Sequence, residues 1–162
     1  MRNEKKRRRF DALAWGVGAM TAAVLFVDAA QAESKQFRLD HPRYVEECGS
    51  CHVAYPPQLL SAESWHAVMN GLDRHFGTDA AIDAAAHADI AAYLAANAGT
   101  PRKFGATAKR VTETRWFARE HDEVPAHVWK RPDVKSAANC GACHTQAERG
   151  DYSERNLRVP RR

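Results

Sequence analysis

The chain has 162 residues, among them 24 lysines and arginines, 20 aspartates and glutamates, eight histidines and four cysteines. This length allows one ordinary domain or two small ones and excludes a large multidomain enzyme. Most of the formal charge of +4 lies in the first 32 residues, and the remainder carries 18 basic against 17 acidic side chains. Such an even balance of basic and acidic side chains argues against a nucleic-acid-binding face, and we expect no nucleic-acid partner.

Residues 1–32 have the pattern of an export signal. Basic side chains run from Arg2 to Arg9, an apolar stretch follows over residues 12–27, and Ala30-Gln31-Ala32 provides a small-residue end. This order is typical of a secretory signal, so we expect cleavage after Ala32. An uncleaved membrane anchor is the alternative, because the apolar stretch is long for a signal. No later stretch is long and apolar enough to span a bilayer, so we expect an exported, soluble mature protein.

All four cysteines lie in two copies of the pattern Cys-x-x-Cys-His, at residues 48–52 and 140–144. This pattern attaches c-type haem, because each thiol can add to a haem vinyl group and the histidine then reaches the iron. Disulfides, a thioredoxin-like couple and a zinc site are the alternatives. No βαβ pattern surrounds either copy, and the pairs are far apart for one zinc ion. The sequence therefore predicts two covalently bound haem c groups, attached at Cys48, Cys51, Cys140 and Cys143, with His52 and His144 as proximal iron ligands.

The first half, residues 33–100, is predicted to be helical. A short helix leads from Pro42 into the first motif. Apolar residues at helical spacing predict a second helix over residues 62–76 and a third over residues 79–97. Gly99 closes the third helix, and Pro101 forbids its continuation. Helices before and after a haem motif resemble a class I cytochrome c.

The second half, residues 101–162, is short for a hydrophobic core of its own and is interrupted by prolines. We expect short helices near residues 112–120 and 136–143, with the remainder irregular and wrapped on a porphyrin. The predicted fold is mainly α. It comprises a class I cytochrome c-like domain over residues 33–100 and a small, irregular, haem-organised domain over residues 101–162.

The second axial position on each iron needs another ligand. After signal cleavage only Met69 remains among the methionines, and one methionine cannot serve two haems. Met69 also lies on the apolar face of its predicted helix, where packing is its expected role. Six histidines remain outside the motifs, so bis-histidine ligation of both haems is possible: His41, His66, His75, His87, His121 and His127.

Position on the predicted helix reduces the number of candidate distal histidines for the first haem. In a helix over residues 62–76, His75 lies on the side of Val68 and Leu72, whereas His66 points elsewhere. His41 is too near the motif to reach the opposite haem face, and we interpret His87 as a surface residue. For the second haem, geometry gives His121 only a small advantage over His127.

A set of motifs spread over nearly all of the mature chain resembles the DHC-type dihaem cytochromes c of the bacterial periplasm. The matching stretches lie at residues 47–57, 64–65, 71–72, 75–77, 90–94, 112–114, 116–117, 120–121, 124–125, 128–129, 138–144, 147–148, 150–151 and 159–160. The resemblance implies a class I-like first domain, an irregular second domain and two bis-histidine haems. Its distal ligands fall on His75 and His121. It also implies two redox partners, a membrane cytochrome b and a small high-spin cytochrome c.

Filled axial positions predict an electron carrier and no enzyme. Two histidine ligands leave no site for oxygen or peroxide, and without methionine the haem potential stays low. The charge is uneven, with a net −5 over residues 33–100 and +6 over residues 101–162. Opposite fields can steer two different partners, although an undirected solvated surface is equally consistent. A small dihaem enzyme, or a haem-based redox or gas sensor, is the alternative and would need an open axial site.

Overall fold

The computed structural model describes residues 36–160, and the predicted export signal with its cleavage site lies outside them. Within this range the chain is mainly helical and forms no strands, only isolated bridges such as Ser61 with Gly99. No helix between residues 36 and 160 is long and apolar enough to cross a membrane. The α-helices are α1 Pro42–Gly49, α2 Ala62–Met69, α3 Ala84–Ala96, α4 Pro101–Phe104 and α5 Arg115–Glu120.

Side-chain caps define where the longer helices begin. The Nδ1 atom of His41 accepts a hydrogen bond from the first turn of α1, and Pro42 follows it. Ser61 caps α2 through its hydroxyl, and the Asp83 carboxylate accepts two backbone N–H bonds of α3. Because the first backbone N–H groups of a helix have no partner within it, such caps stabilise each start by about 1 kcal/mol.

The core forms where α2 packs against α3. On α3, Ala86, Ile90 and Leu94 are spaced by four residues and are all buried. They meet Trp65 and Met69 of α2, which belong to the same buried cluster as Ile90 and Leu94. Each such apolar side chain contributes about 1.5–3 kcal/mol when it is removed from water. This pair of helices forms one wall of the first haem region.

The second helix is shorter than its periodicity predicts. It ends at Met69, and the chain continues through a 3₁₀ turn at Leu72–Arg74. Phe76 and Gly77 then adopt positive φ angles of 51° and 100°, which an α-helix cannot accommodate. His75 therefore does not share a helical face with Val68, and the helical-wheel argument for it is wrong in its geometry.

The third helix begins at Ala84, later than the predicted residue 79. Two aspartates compete for the start, and each accepts backbone N–H bonds two or three residues ahead. Asp79 accepts one such bond, from Ala81, whereas Asp83 accepts two, from Ala85 and Ala86. The better cap defines the start of the helix.

The segments on both sides of α5 form short 3₁₀ turns. The helix predicted near residues 112–120 is present as a turn at Val111–Glu113 followed by α5. The helix predicted near residues 136–143 is reduced to a single 3₁₀ turn, Cys140–Ala142. Further turns lie at Val128–Lys130, Ala147–Arg149 and Glu154–Asn156.

Contacts cross the predicted domain boundary at residue 100. Gly99 lies so close to the Gln58 carbonyl and the Phe104 ring that a Cβ atom would collide with both. The hydroxyl of Ser61 donates to the Ala106 carbonyl at 3.0 Å. The main buried cluster accordingly contains residues from both halves of the chain. The division into two haem domains stays a prediction.

Candidate haem sites

The first Cys-x-x-Cys-His motif begins inside α1. Cys48 lies in the last turn of this helix, is half-buried and packs against the main buried cluster, whereas Cys51 and His52 follow the helix and are exposed. Burial, and next the Glu47 carboxylate, raise the pKa of the Cys48 thiol to about 11. Such surroundings disfavour a charged thiolate and suit a neutral sulfur, including a thioether. None of the four cysteines forms a disulfide.

A cavity of about 380 Å³ brings the first set of predicted residues together. Both cysteines of the motif line it, as do His52 and His75. The ring centroids of these two histidines are 6.3 Å apart, and their planes differ by 20°. Its apolar wall comes from α2, α3 and the segment between them: Trp65, Val68, Met69, Leu72, Ile82 and Leu94.

The loop after α2 positions His75 opposite His52. The backbone N–H of Ala80 donates to the Leu72 carbonyl at 2.9 Å, and that of Thr78 donates to the His75 carbonyl at 3.0 Å. These bonds close the loop between Leu72 and Ala80 and so fix the backbone of His75. Burial, then the nearby His52 ring and Arg110, lower the pKa of His75. A neutral imidazole is the form that binds a metal.

The second motif is built from turns. Cys140 begins a 3₁₀ turn and His144 follows it, whereas His121 lies directly after the last residue of α5. The ring centroids of His121 and His144 are 6.1 Å apart, with planes at 80°. Burial raises the pKa of Cys140 to about 11 and, less strongly, that of Cys143.

Both histidine pairs have the separation that axial ligation of one iron requires. With metal–nitrogen bonds of about 2.0 Å and roughly 1.2 Å from nitrogen to ring centre, two axial imidazoles have centroids about 6.4 Å apart. The observed separations of 6.3 Å and 6.1 Å agree with this value. Between residues 36 and 160, no cluster of three or more His, Cys, Asp or Glu side chains provides a self-contained site for a bare metal ion. By their separation, both pairs would fit a haem iron, whose porphyrin would supply the other four ligands.

Two of the four imidazoles are held in the tautomer that coordination needs. His52 Nδ1 lies 2.8 Å from the Val53 carbonyl, and His121 Nδ1 lies 3.0 Å from the Phe117 carbonyl. Because a carbonyl can only accept, each Nδ1 carries the proton and donates it. The Nε2 lone pair is then left for a metal, as is usual for ligating histidines.

Three aromatic residues next to these histidines were not identified from the sequence. Tyr55 stacks on His52 with centroids 4.8 Å apart, and its hydroxyl donates to the Ala138 carbonyl at 2.7 Å. Phe117 stacks on His121 at 4.1 Å. The Tyr152 ring lies 5.0 Å from that of His144. An aromatic residue three or four positions from a predicted ligand is the signal that could have indicated the first two.

The remaining histidines have other surroundings. His66 is exposed and paired with Asn70, and His41 caps α1. His127 is exposed. The interpretation of His87 as a surface residue is wrong in part, because it is half-buried and its Nε2 donates to the Met69 carbonyl at 3.1 Å. Met69 is 3% exposed and belongs to the buried cluster, as expected of a packing residue.

Residues 44–152 match the family described as dihaem cytochrome c, DHC. The chain is also similar to the diheme cytochrome c from Rhodobacter sphaeroides, with 41% identity and a TM-score of 0.65 over 72% of this chain and 99% of that one. The diheme cytochrome type c of Shewanella baltica OS155 matches with 39% identity and a TM-score of 0.65, over 73% and 91% of the two chains. A second structure of the Rhodobacter sphaeroides protein gives 42% identity and a TM-score of 0.61, over 70% and 98%. No curated protein matches.

Proposed function

This chain belongs to the dihaem cytochrome c family, and on that basis we propose that it carries electrons between periplasmic redox partners through two low-potential bis-histidine haems. Its cofactors are two haem c groups. Membership of a cytochrome c family indicates an electron carrier rather than an enzyme. The export-signal pattern of the sequence supports the periplasmic location.

In this proposal the attachment and ligand residues of each haem come from one region of the chain. Cys48 and Cys51 attach the first haem, and Cys140 and Cys143 attach the second. His52 and His144 would be the proximal ligands, and His75 and His121 would be the distal ones. The first region, over residues 33–100, is then class I-like, and the second, over residues 101–162, is organised by its haem.

One observation carries the proposal: two separate histidine pairs, each containing the histidine of one motif, have centroid separations of 6.3 Å and 6.1 Å. Haem iron supplies a one-electron couple between its ferric and ferrous forms. The four imidazoles would hold both axial positions on each iron, and such ligation would leave no site for oxygen or peroxide. Two nitrogen donors, with no methionine, also keep the potential low. An enzyme or a gas sensor would need one of these positions to be open.

The charge pattern supports two docking surfaces. The segment over residues 33–100 is acidic and that over residues 101–162 is basic. Opposite fields attract partners of opposite charge and so orient two different proteins at the two haems. A membrane cytochrome b on one side and a small high-spin cytochrome c on the other are the partners we propose.

Reductive titration of the matured protein tests this function. We expect an uptake of two electrons per molecule, low-spin spectra in both oxidation states, and no consumption of added hydrogen peroxide. Both couples should be reversible, because the iron keeps its ligands. A high-spin spectrum in either state, or steady peroxide turnover, would instead indicate an open axial site and support the enzyme alternative.

A further inference from the structure

The two histidine pairs differ sharply in the angle between their rings. The planes of His52 and His75 differ by 20°, whereas those of His121 and His144 differ by 80°. The centroid separations are nearly the same, so the difference is one of rotation and not of distance. Rotation of an imidazole about its Cβ–Cγ bond has only broad intrinsic preferences. The contacts of each ring must therefore select its orientation.

Phe117 holds the plane of His121 in two ways. Its ring stacks on the imidazole with centroids 4.1 Å apart and planes 21° apart. Its backbone carbonyl accepts the Nδ1–H bond at 3.0 Å. Phe117 is itself 6% exposed and belongs to the main buried cluster, so it cannot follow the imidazole if that ring turns. Trp129 adds an edge contact to His121 at 5.9 Å.

Tyr55 holds the plane of His52 in a comparable way. The two rings stack with centroids 4.8 Å apart and planes 24° apart. The Tyr55 hydroxyl donates to the Ala138 carbonyl, which anchors the ring at its far end. The Nδ1–H of His52 points to the Val53 carbonyl at 2.8 Å. One histidine of each pair, His52 in the first and His121 in the second, is thus stacked on an aromatic ring that limits its rotation.

We propose that the chain sets its two axial imidazole pairs at different angles, near-parallel at the first haem and near-perpendicular at the second, with Tyr55 and Phe117 as the positioning residues. The inference rests on the bis-histidine ligation proposed above. Groups that hydrogen-bond to a ligating histidine commonly fix its orientation in this manner. The two haems are then electronically unequal although their ligands are chemically identical.

Ring angle has a direct spectroscopic consequence. An imidazole donates π density to the iron d orbital that lies perpendicular to its own plane. Parallel rings act on the same orbital and split the pair of dπ orbitals, whereas perpendicular rings act on one orbital each and leave the pair nearly degenerate. Near-degeneracy increases the magnetic anisotropy of low-spin ferric iron and raises its largest g value. The oxidised protein should therefore give two distinct low-spin signals.

Electron paramagnetic resonance of the oxidised, fully matured chain tests this. Wild type should show two low-spin signals, with a clearly larger maximum g value at the second haem. Phe117→Leu should shift only the signal with the larger value, and Tyr55→Leu only the other. Tyr55→Phe retains the ring and loses only the bond to the Ala138 carbonyl, so it should shift that signal less than Tyr55→Leu does. Phe104→Leu is the matched control, because Phe104 is buried in the same cluster but its ring contacts Trp116.

The possible results distinguish a failure of this inference from a failure of the proposed function. Two low-spin signals with the same maximum g value in wild type would contradict unequal ring angles and would leave bis-histidine ligation intact. This result needs only the wild-type protein, so it holds even if a variant fails to fold. A Phe117→Leu spectrum identical to wild type, or one shifted no more than that of Phe104→Leu, would remove the positioning role. A high-spin ferric signal in wild type would instead contradict the ligation itself.

Discussion

Around the first histidine pair the chain supplies helices and a buried apolar core, whereas around the second it supplies short turns and hydrogen bonds. Leu94 of α3 and Trp65 of α2 are buried and line the cavity of the first pair, and Ile90 belongs to the same buried cluster. Beyond α5, the buried apolar residues are Val134 and Ala147, and neither belongs to the main cluster.

Polar contacts order the second region where apolar contacts are few. Asp151 is the centre of one network and accepts hydrogen bonds from Ser153, Arg155 and Asn156. The backbone N–H of Arg158 donates to the Cys143 carbonyl at 2.7 Å and so ties the chain end to the motif. Each such bond contributes only about 0.5–1.5 kcal/mol net. From this difference we expect the segment beyond α5 to depend on a haem for its apolar mass, whereas the main buried cluster lies beside the first pair.

The largest expected effect is loss of the second haem. Cys140→Ala combined with Cys143→Ala should expose residues 121–160 to protease while the α2–α3 region stays resistant, because the haem replaces a core there. Limited proteolysis with mass mapping checks this. Cys48→Ala with Cys51→Ala is the matched control and should leave more of its own region protected. Equal protection beyond residue 121 in wild type and variant would contradict the comparison.

Truncation of buried side chains tests the same difference between the two regions. Ile90→Ala should lower the free energy of unfolding by about 2–5 kcal/mol, because Ile90 is fully buried between α2 and α3 and its loss leaves a cavity. Val134→Ala, also at a fully buried site, should lower the free energy of unfolding by less. Valine loses fewer atoms than isoleucine, and Val134 lies outside the main cluster. Urea unfolding monitored by circular dichroism measures both. A larger cost at Val134 would show that the second region has a substantial core.

Replacement of one distal histidine should change the reduction potential of one haem only. His75→Met should raise the potential of one haem by on the order of 0.1 V, within the roughly 0.8 V range that axial ligands span. The other potential should stay nearly unchanged. His121→Met should do the same for the other haem. Spectropotentiometry checks this, and a variant with the spectrum and potentials of wild type would exclude that histidine as a ligand.

The smallest effect concerns the polar network of the second region. Hydrogen bonds from Ser153, then Arg155, lower the pKa of Asp151 below its ordinary value of 3.8. A lowered folded pKa contributes stability above the unfolded value, and that contribution is lost as the pH falls through the folded pKa. Wild type should therefore lose stability below about pH 4.

Asp151→Asn should be less stable than wild type at neutral pH and should lack this component of the acid sensitivity. Denaturant midpoints measured from pH 7 to pH 3 provide the comparison. Glu148→Gln, an exposed carboxylate on the preceding turn, is the control. If the two variants had the same pH dependence as wild type, the network would contribute nothing to stability.

Local motifs and helix existence could be predicted from the sequence, and loop geometry could not. The two Cys-x-x-Cys-His motifs and the helices around Trp65 and Ile90 follow from spacing and periodicity. The family prediction is confirmed. The helical-face argument for His75 fails, since the helix ends at Met69. Its position depends on two consecutive positive φ angles, which periodicity does not encode.

Spacing along the chain can indicate Tyr55 and Phe117 as neighbours of a histidine, but it does not determine how their rings pack. Tyr55 reaches Ala138 across 83 residues, and no local pattern indicates such a contact. The angle between two imidazoles depends on which aromatic plane each ring packs against. That choice is made by tertiary packing, so only the structure reveals it.

Carbon monoxide binding to the fully reduced, matured protein tests the central claim most directly. Carbon monoxide binds ferrous haem only where an axial position is open or weakly held. Two histidines on each iron predict an absorption spectrum that does not change when the gas is added. A shifted Soret band from either haem would contradict bis-histidine ligation at that site and would favour the enzyme or sensor alternative there.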